Sequence, residues 1–416
     1  MLMGGCSLIN LLLAASLMGA KAEIRVQTGA DVLTSRQIEL LKGKRVGLIA
    51  NHTAMVGERH LIDVLHATDL VRLTALFGPE HGLRGLADAG EKVADSVDPA
   101  TGVPVFSLYG STREPSPKML ENVDVLVFDI QDVGARFYTY ISTLGLSMQA
   151  AARKGIPFVV LDRPNPLGGE RVDGYVLSPS YTSFVGQYPI PIQHGLTMGE
   201  LALMVKGEAY LPGLEKLDLK VVAMDGWKRS MLWSETGLPW IKPSPNLPTF
   251  DSAVVYPGTC LFEATSVSEG RGTEAPFQTL GAPWADGVGL AKRLREFGLT
   301  GVSFESVRFT PRSIPNAAAN PKLKDVELQG VKISVTNPRE VRPVALGVYA
   351  LDAFYRQSSG LSRLSFYRIG GMSRLAGTER LRQQLSRGVS PEKIIAGWEN
   401  EVASFRRVRE KYLLYR

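Results

Sequence analysis

The feature that most constrains the fold is an alternation of short apolar runs with longer helical patterns. Runs that are apolar on both faces predict buried strands, at Arg45–Ala50, Arg72–Phe77, Val123–Phe128 and Pro157–Leu161. Further strands are expected at 103–109 and 219–224, with helices at 60–67, 138–154 and 196–210. Strands that alternate with helices indicate a doubly wound α/β domain with a mainly parallel sheet.

The pattern changes near residue 233. Residues 233–284 are rich in Pro, Gly, Thr and Ser and show little periodicity, which predicts a long irregular segment at a domain junction. Strand and helix patterns resume beyond it. With 416 residues and about 100–200 residues per domain, two domains are expected. We place the first at 23–240 and a smaller α+β domain at 241–416, with a cleft between them.

The amino terminus resembles an export signal. Residues 8–18 form a short apolar run, and Ala20-Lys21-Ala22 follows as an A-x-A cleavage pattern. The run is too short for a comfortable membrane span, and no Lys or Arg precedes it. We expect residues 1–22 to be a signal peptide and the protein to be periplasmic or secreted, without a stable membrane span after cleavage. A buried N-terminal helix is the alternative, and a misassigned start codon also stays open.

Composition and missing motifs exclude several classes of function. Two cysteines are too few for a disulfide framework or a four-cysteine zinc site. A net charge of +6 without a basic block disfavours nucleic acid as a partner. No G-x-G-x-x-G follows the first strand, and Walker A, G-x-S-x-G and H-E-x-x-H patterns are missing. We therefore expect no cofactor and no metal, although His52, His81 and Asp129 leave a mixed metal site open.

Polar side chains follow each of four predicted strands. Ligands of an open parallel sheet bind beyond the carboxyl ends of its strands. These ends carry Asn51-His52-Thr53, Gly78-Pro79-Glu80-His81-Gly82, Asp129-Ile130-Gln131-Asp132 with Arg136, and Asp162-Arg163-Pro164-Asn165-Pro166. Each alone is explained by turn formation, but four together predict a polar crevice.

Carboxylates are the chemical groups that this crevice offers. Glu80 lies on a loop constrained by Pro and Gly, beside Arg84, and Glu91 follows eleven residues later. Glycoside hydrolysis needs two carboxyl groups, one as proton donor and one as base or nucleophile. The alternative is structural: Glu80 caps a turn and Glu91 pairs with Arg84.

A second group of polar residues lies in the segment 233–284. Glu269 and Arg271 flank a glycine, with Glu263 shortly before them, and Asn246 lies in a Pro-rich stretch. The functional interpretation is a lid or wall that closes the crevice over a ligand, and the simpler one is an exposed, salt-bridged loop. Tyr138 could offer a flat face to a sugar ring, although such aromatics are more often part of the core.

Several of these blocks resemble one family, the bacterial exo-β-N-acetylmuramidases. The resemblance rests on Gly78–Glu91, Asp129–Tyr140, Asp162–Gly169, Pro243–Phe250 and Thr265–Phe277, and it runs from about Ile24 to the C-terminus. It implies a Rossmann-like catalytic domain, a smaller C-terminal domain that closes the cleft, and removal of terminal N-acetylmuramic acid from the non-reducing end of peptidoglycan fragments. It also implies catalytic glutamates, which match Glu80 and Glu91 here.

The residues fit such a substrate, which would be a peptidoglycan-derived saccharide or muropeptide. Arginines suit the lactyl carboxylate, and amides and carboxylates suit hydroxyl and acetamido groups. The predicted binding residues are His81, Arg84, Asp129, Gln131, Arg136, Tyr138, Asn165, Asn246, Glu263, Glu269 and Arg271. Two rival functions remain at this point: a non-catalytic muropeptide-binding protein, and a metal-dependent amidase or esterase that uses the same crevice. Retention or inversion depends on the carboxylate separation.

Overall fold

The computed structural model describes residues 25–80, 83, 96–110, 112–368 and 370–416. The strands in these ranges are β1 Arg45–Ala50, β2 Met55–Val56, β3 Arg59–His60, β4 Arg72–Gly78, β5 Ser96–Val97, β6 Pro104–Ser107, β7 Val125–Asp129, β8 Phe158–Leu161, β9 Asp173–Val176, β10 Pro191–Gln193, β11 Leu219–Val222, β12 Thr279–Ala282, β13 Val302–Phe309 and β14 Leu328–Val335.

The α-helices, several of them single turns, are α1 Gly29–Val32, α2 Leu61–His66, α3 Tyr140–Lys154, α4 Met198–Gly207, α5 Phe250–Thr259, α6 Gly287–Glu296, α7 Pro343–Gln357, α8 Gly360–Leu364, α9 Gly371–Ala376, α10 Arg380–Ser386, α11 Pro391–Ala396 and α12 Glu399–Arg409. Helix α3 ends at Gly155, which adopts the left-handed conformation at φ 73°. Helix α4 begins with a capping box that Thr197 and Glu200 form.

The main sheet has the order β11-β8-β7-β1-β4-β6-β5. Its neighbouring strands are parallel from β11 to β6, and β5 joins antiparallel at the edge. Without β5 this is the 3-2-1-4-5-6 order of a Rossmann-like domain. The prediction of a doubly wound α/β domain is therefore confirmed. The strand order reverses between β1 and β7, so the crevice expected of such folds opens at the ends of these strands.

The C-terminal region is built on a smaller sheet, in the antiparallel order β12-β14-β13. The helix α6 packs on β13 and β14, and α7 packs on α5. Leu280, Val331 and Ile333 from this sheet belong to the same hydrophobic cluster as Phe128 and Phe158 of the main sheet. One core therefore continues from the Rossmann-like sheet into the smaller α+β part.

The prediction of an irregular stretch over 233–284 is wrong for its middle. Phe250–Thr259 is the helix α5, in spite of Pro257 within it, and a 3-10 helix, Cys260–Ala264, continues it. Tertiary packing overrides poor helix propensity here: a Cβ on Gly258 would lie 1.8 Å from the carbonyl oxygen of Pro343, and one on Gly347 would lie 2.5 Å from that of Gly258. The two glycines let the backbones of α5 and α7 touch.

The C-terminal tail returns to the Rossmann-like sheet. Tyr415 packs with Val26, Met224 and Trp227 in a separate small cluster. Its hydroxyl donates to Oδ2 of Asp162 at 2.6 Å and accepts from the backbone N of Met224 at 3.0 Å. The C-terminal residues thus pack against Asp162, which directly follows β8, and against Met224. Within the described ranges, the structure has no helix that is long and apolar enough to cross a membrane.

Candidate active site

The ends of β1 and β7 meet at the point where the strand order reverses. Asn51 follows β1, and its amide nitrogen donates to the hydroxyl of Tyr140 at 2.9 Å. Tyr140 in turn donates to the carbonyl of Pro243 at 2.9 Å, and Nε2 of His52 lies 2.7 Å from the carbonyl oxygen of Lys242. These bonds fix the segment around Lys242 over the strand ends. It forms one side of the crevice.

Glu80 lies two residues beyond β4, at the carboxyl edge of the sheet. The hydroxyl of Thr139 donates to its Oε2 at 2.6 Å, and the hydroxyl of Tyr109 also hydrogen-bonds to this carboxylate. Thr139 immediately precedes α3, a helix of 15 residues, so the carboxylate also lies near the positive end of a helix dipole. Two hydroxyl groups and a helix terminus therefore fix the position of Glu80.

Tyr109 connects the two walls of the site. Its pKa is raised above the usual value, first by burial and then by the negative charge of Glu80, with a smaller contribution from Glu263. Glu80 comes from the Rossmann-like sheet and Glu263 from the segment that follows α5. Both carboxylates therefore act on the same hydroxyl group. The cleft between the two parts of the chain carries an acidic group on each side.

Glu263 belongs to a chain of paired charged side chains. The Nη2 atom of Arg271 lies 2.7 Å from Oε1 of Glu263, and its Nε atom lies 3.6 Å from Oε1 of Glu269. Lys322 lies 2.8 Å from Oε2 of Glu269. These four side chains border an open cavity of about 1360 Å³, together with Arg368 and residues 315–324. That volume is large enough for a saccharide.

The charge states in this chain follow from burial and pairing. Burial alone raises the pKa of Glu269, but Lys322 and Arg271 outweigh it and hold that pKa below the usual range. The Arg271 guanidinium has its pKa raised, because Glu263 and Glu269 overcome the cost of its burial. Glu269 is therefore ionised at neutral pH and unsuited to donate a proton. We expect it to position Arg271 and Lys322.

Five predicted binding residues point into the protein rather than into the cleft. Both oxygens of Asp129 accept from Arg163, at 2.5 and 2.9 Å. The other four bind backbone carbonyls: Gln131 those of Asp132 and Pro164, Asn165 that of Leu196, Asn246 that of Ala317, and Arg136 those of Tyr175, Ile190 and Leu375. These contacts stabilise the loops at the strand ends. Their roles in substrate binding stay predictions.

Tyr138 belongs to an aromatic cluster. It is 8% exposed, and its ring meets those of Tyr140 and Tyr256 edge to face, at centroid distances of 4.9 and 5.8 Å. Burial, followed by the neighbouring Tyr140 and Glu80, raises the pKa of its hydroxyl well above the usual value. The ring therefore supports the floor of the site beside Glu80, and it offers little surface for a sugar to stack on.

Three predicted residues, His81, Arg84 and Glu91, lie outside the described residues, and their roles stay predictions. The described ranges hold no group of three or more His, Cys, Asp and Glu side chains that could bind a metal ion. Asp129, which the metal-dependent alternative needs, is already paired with Arg163.

Sequence reasoning missed several residues at this site. Thr139 and Lys322 were not singled out, because a lone Thr before a helix and a Lys in a polar loop carry no signal of their own. Asp132 was named only as part of a strand end. It is buried beside His194, and Nε2 of His194 lies 3.9 Å from its Oδ2. Burial raises the pKa of Asp132 to about 7 and lowers that of His194 to about 3, so the histidine is neutral at neutral pH.

A Rossmann-like sheet whose edge holds a fixed glutamate, with a second carboxylate, Glu263, acting on the same Tyr109 hydroxyl, is an arrangement typical of a glycoside hydrolase. The comparisons agree with this class. The family models described as "Exo-beta-N-acetylmuramidase NamZ", N-terminal and C-terminal, match residues 46–251 and 254–415. The chain belongs to this exo-β-N-acetylmuramidase family, which confirms the resemblance found in the sequence.

Individual relatives support the assignment. The chain is 44% identical over 392 residues to the peptidoglycan β-N-acetylmuramidase NamZ of Bacillus subtilis, covering 94% of this chain and 92% of that protein. Two crystal structures of DUF1343 family proteins from Bacteroides fragilis share the fold. One has 38% identity and a TM-score of 0.84, and the other 37% and 0.77; each covers 94% of this chain, and 100% and 99% of its own length.

Proposed function

We propose that this protein is an exo-acting glycoside hydrolase that releases terminal N-acetylmuramic acid from the non-reducing end of peptidoglycan fragments. Family membership supports the reaction class, and the relative from Bacillus subtilis is named for activity on peptidoglycan. The observation that carries the proposal is the placement of Glu80. Thr139 and Tyr109 hold its carboxylate at the edge of the sheet, and Glu263, which acts on the same Tyr109 hydroxyl, lines the cavity of about 1360 Å³.

In this proposal Glu80 is the general acid/base. It protonates the glycosidic oxygen as the bond to the anomeric carbon breaks, and its conjugate base then activates the incoming water. Thr139 and Tyr109 donate to the carboxylate and keep it aimed at the bond. Glu91, the partner predicted from the sequence, completes the pair or orients water. Glu263, on the opposite wall, has the charge to stabilise the positive character that develops on the sugar ring.

We also propose that the protein is exported. The apolar run at residues 8–18 and the Ala20-Lys21-Ala22 pattern support this, and peptidoglycan lies outside the cytoplasmic membrane. N-terminal sequencing of the protein from a fractionated bacterial culture tests it. The expected mature chain begins at Glu23 and is found in the periplasm or medium, and Ala22→Asp should block cleavage. A full-length chain in the cytoplasm contradicts the proposal.

The activity is tested with a chromogenic β-N-acetylmuramide. The wild-type protein should release the chromophore in the presence of a chelator, and Glu80→Gln should lower kcat by about 10²–10⁴-fold, the usual contribution of a general acid. Glu121→Gln, at an exposed site, is the matched control. Thermal melting of both variants should equal that of the wild type. Near-normal turnover by Glu80→Gln removes Glu80 from the mechanism, and loss of activity with chelator favours the metal-dependent alternative.

A further inference from the structure

The wall of the large cavity carries more positive than negative charge. Its cationic side chains are Arg271, Lys322, Lys324 and Arg368, and its anionic ones are Glu263 and Glu269. Four positive charges against two negative charges leave an excess of +2 among these groups. A surplus charge in a binding cleft attracts a ligand of opposite sign.

Two of the four cations are already engaged. Arg271 lies between Glu263 and Glu269. Lys322 donates to the carbonyls of Phe262 and Val267, at 2.8 and 2.7 Å, and lies 2.8 Å from Oε2 of Glu269. Three partners use the three donors of an ammonium group. The charge of Arg271 is thus balanced by two carboxylates, and Lys322 has no donor left for a further carboxylate.

Arg368 differs from both. Its backbone N donates to the carbonyl of Ala264 at 2.9 Å, which fixes its main chain beside Glu263. Its exposed guanidinium makes no hydrogen bond or ion pair with any residue that the structure describes, although it is close enough to Lys322 to act on its charge. The surplus charge of the wall is therefore that of Arg368 and the exposed Lys324. Of these two, Arg368 has the parallel N–H donors that match a carboxylate.

We propose that Arg368 binds the lactyl carboxylate of N-acetylmuramic acid and thereby selects this sugar over N-acetylglucosamine. The inference rests on the proposed function, and it assigns to Arg368 a task that the sequence had given to Arg84, Arg136 or Arg271. A guanidinium binds a carboxylate through two parallel hydrogen bonds. N-acetylglucosamine has a hydroxyl group in place of the lactyl ether and offers no such partner.

The test compares two chromogenic substrates, the N-acetylmuramide and its lactyl methyl ester, which has lost the negative charge. Arg368→Ala should raise KM for the acid by about 10- to 150-fold, the range expected for a lost hydrogen bond to a charged group, and change kcat little. Its kinetics on the ester should stay within about twofold of the wild type, because the ester has no charge to lose. Arg368→Lys should recover part of the loss.

Two further arginines are tested beside Arg368, one as a control and one as a rival ligand. Arg374, exposed on α9 and outside the residues that line the cavity, should tolerate Ala without any change. Arg113 lies over the ring of Phe184, 4.7 Å from its centroid, and acts on the charge of Tyr109. It is the rival ligand. An effect of Arg113→Ala confined to the acid, or an equal loss on acid and ester by Arg368→Ala, overturns the proposal.

A binding measurement separates this inference from the catalytic one. Calorimetric titration of the full-length protein with free N-acetylmuramic acid and with N-acetylglucosamine needs no turnover. The wild type should bind the acid more tightly, and Arg368→Ala should bind the two sugars alike. If neither substrate is hydrolysed but this difference is found, the proposed reaction fails while the assignment of Arg368 stands. Equal binding of both sugars by the wild type rejects the assignment.

Discussion

The hydrogen bond between Thr139 and Glu80 allows a sharp test of how the site is held. Thr139→Val removes the hydroxyl donor and keeps the shape of the side chain. The substitution should not weaken α3, because the Thr139 side chain makes no capping hydrogen bond to that helix. Its effect should therefore fall on the Glu80 carboxylate, whose Oε2 is 2.6 Å from the lost hydroxyl.

The size of the effect follows from the charge of the acceptor. Hydrogen bonds to charged groups contribute about 1.5–3 kcal/mol, and each 1.36 kcal/mol corresponds to a factor of ten in rate. If this energy serves to position Glu80 in the transition state, kcat falls by about 10- to 150-fold. KM should change little, because Thr139 is 8% exposed and acts through the carboxylate rather than on the sugar.

Steady-state kinetics on the chromogenic N-acetylmuramide measures both constants. Thr139→Ser restores the hydroxyl and should keep kcat within about threefold of the wild type. Thr143→Val, one turn further along α3, is the control, because its hydroxyl contacts the carbonyl of Thr139 at 3.4 Å. The reasoning is refuted if Thr139→Val keeps normal kcat, or if Thr139→Ser is as slow as Thr139→Val.

Three further predictions concern stability. Tyr415→Phe should lower the free energy of unfolding by about 2–4 kcal/mol in urea denaturation, because Asp162 loses a donor and a buried backbone N–H loses its acceptor. Lys322→Met should cost about 3 kcal/mol by the same measurement, because it leaves the buried Glu269 with one cationic partner fewer. Burial raises the pKa of Asp132 to about 7. Its protonated form therefore stabilises the fold below its unfolded pKa of about 4, and this contribution is lost as pH rises through 7. In Asp132→Asn the urea midpoint should fall less between pH 5 and pH 8 than in the wild type.

Each of these has a result that contradicts it. Tyr412→Phe removes a less buried hydrogen bond to Glu208 from the same tail, so an equal loss in both variants denies a special role to Tyr415. An unchanged urea midpoint for Lys322→Met means that the charge of Glu269 is compensated elsewhere. Parallel pH profiles for Asp132→Asn and the wild type show that Asp132 is ionised in both the folded and the unfolded chain.

The Rossmann-like part was predictable because its signals are local. Val125–Asp129 and Phe158–Leu161 are buried on both faces, and such runs appear as unbroken apolar stretches in the sequence. The helix α5 was not predictable in this way. Its sequence contains Pro257 and Gly258, and it becomes helical through contact with α7, nearly 90 residues further along the chain.

The site was predictable in position more than in detail. Glu80 follows from a general property of parallel sheets, whose strand ends meet at one edge. The same rule also selected Gln131 and Asn165, because turn formation and ligand binding favour the same residue types. In the structure the amides of these two residues bind loop carbonyls. The ion pair of Lys322 and Glu269 joins residues that are 53 positions apart, and no local sequence pattern predicts it.

The tail described above has a consequence for the order in which the chain can fold. Tyr415 completes a cluster with Val26, a residue 389 positions earlier in the sequence. Such a contact forms late, because the chain must first close the long loop between the two residues. The packing around Asp162 and Met224 is therefore completed only when the C-terminal tail has docked, after the parallel sheet on which it docks has formed.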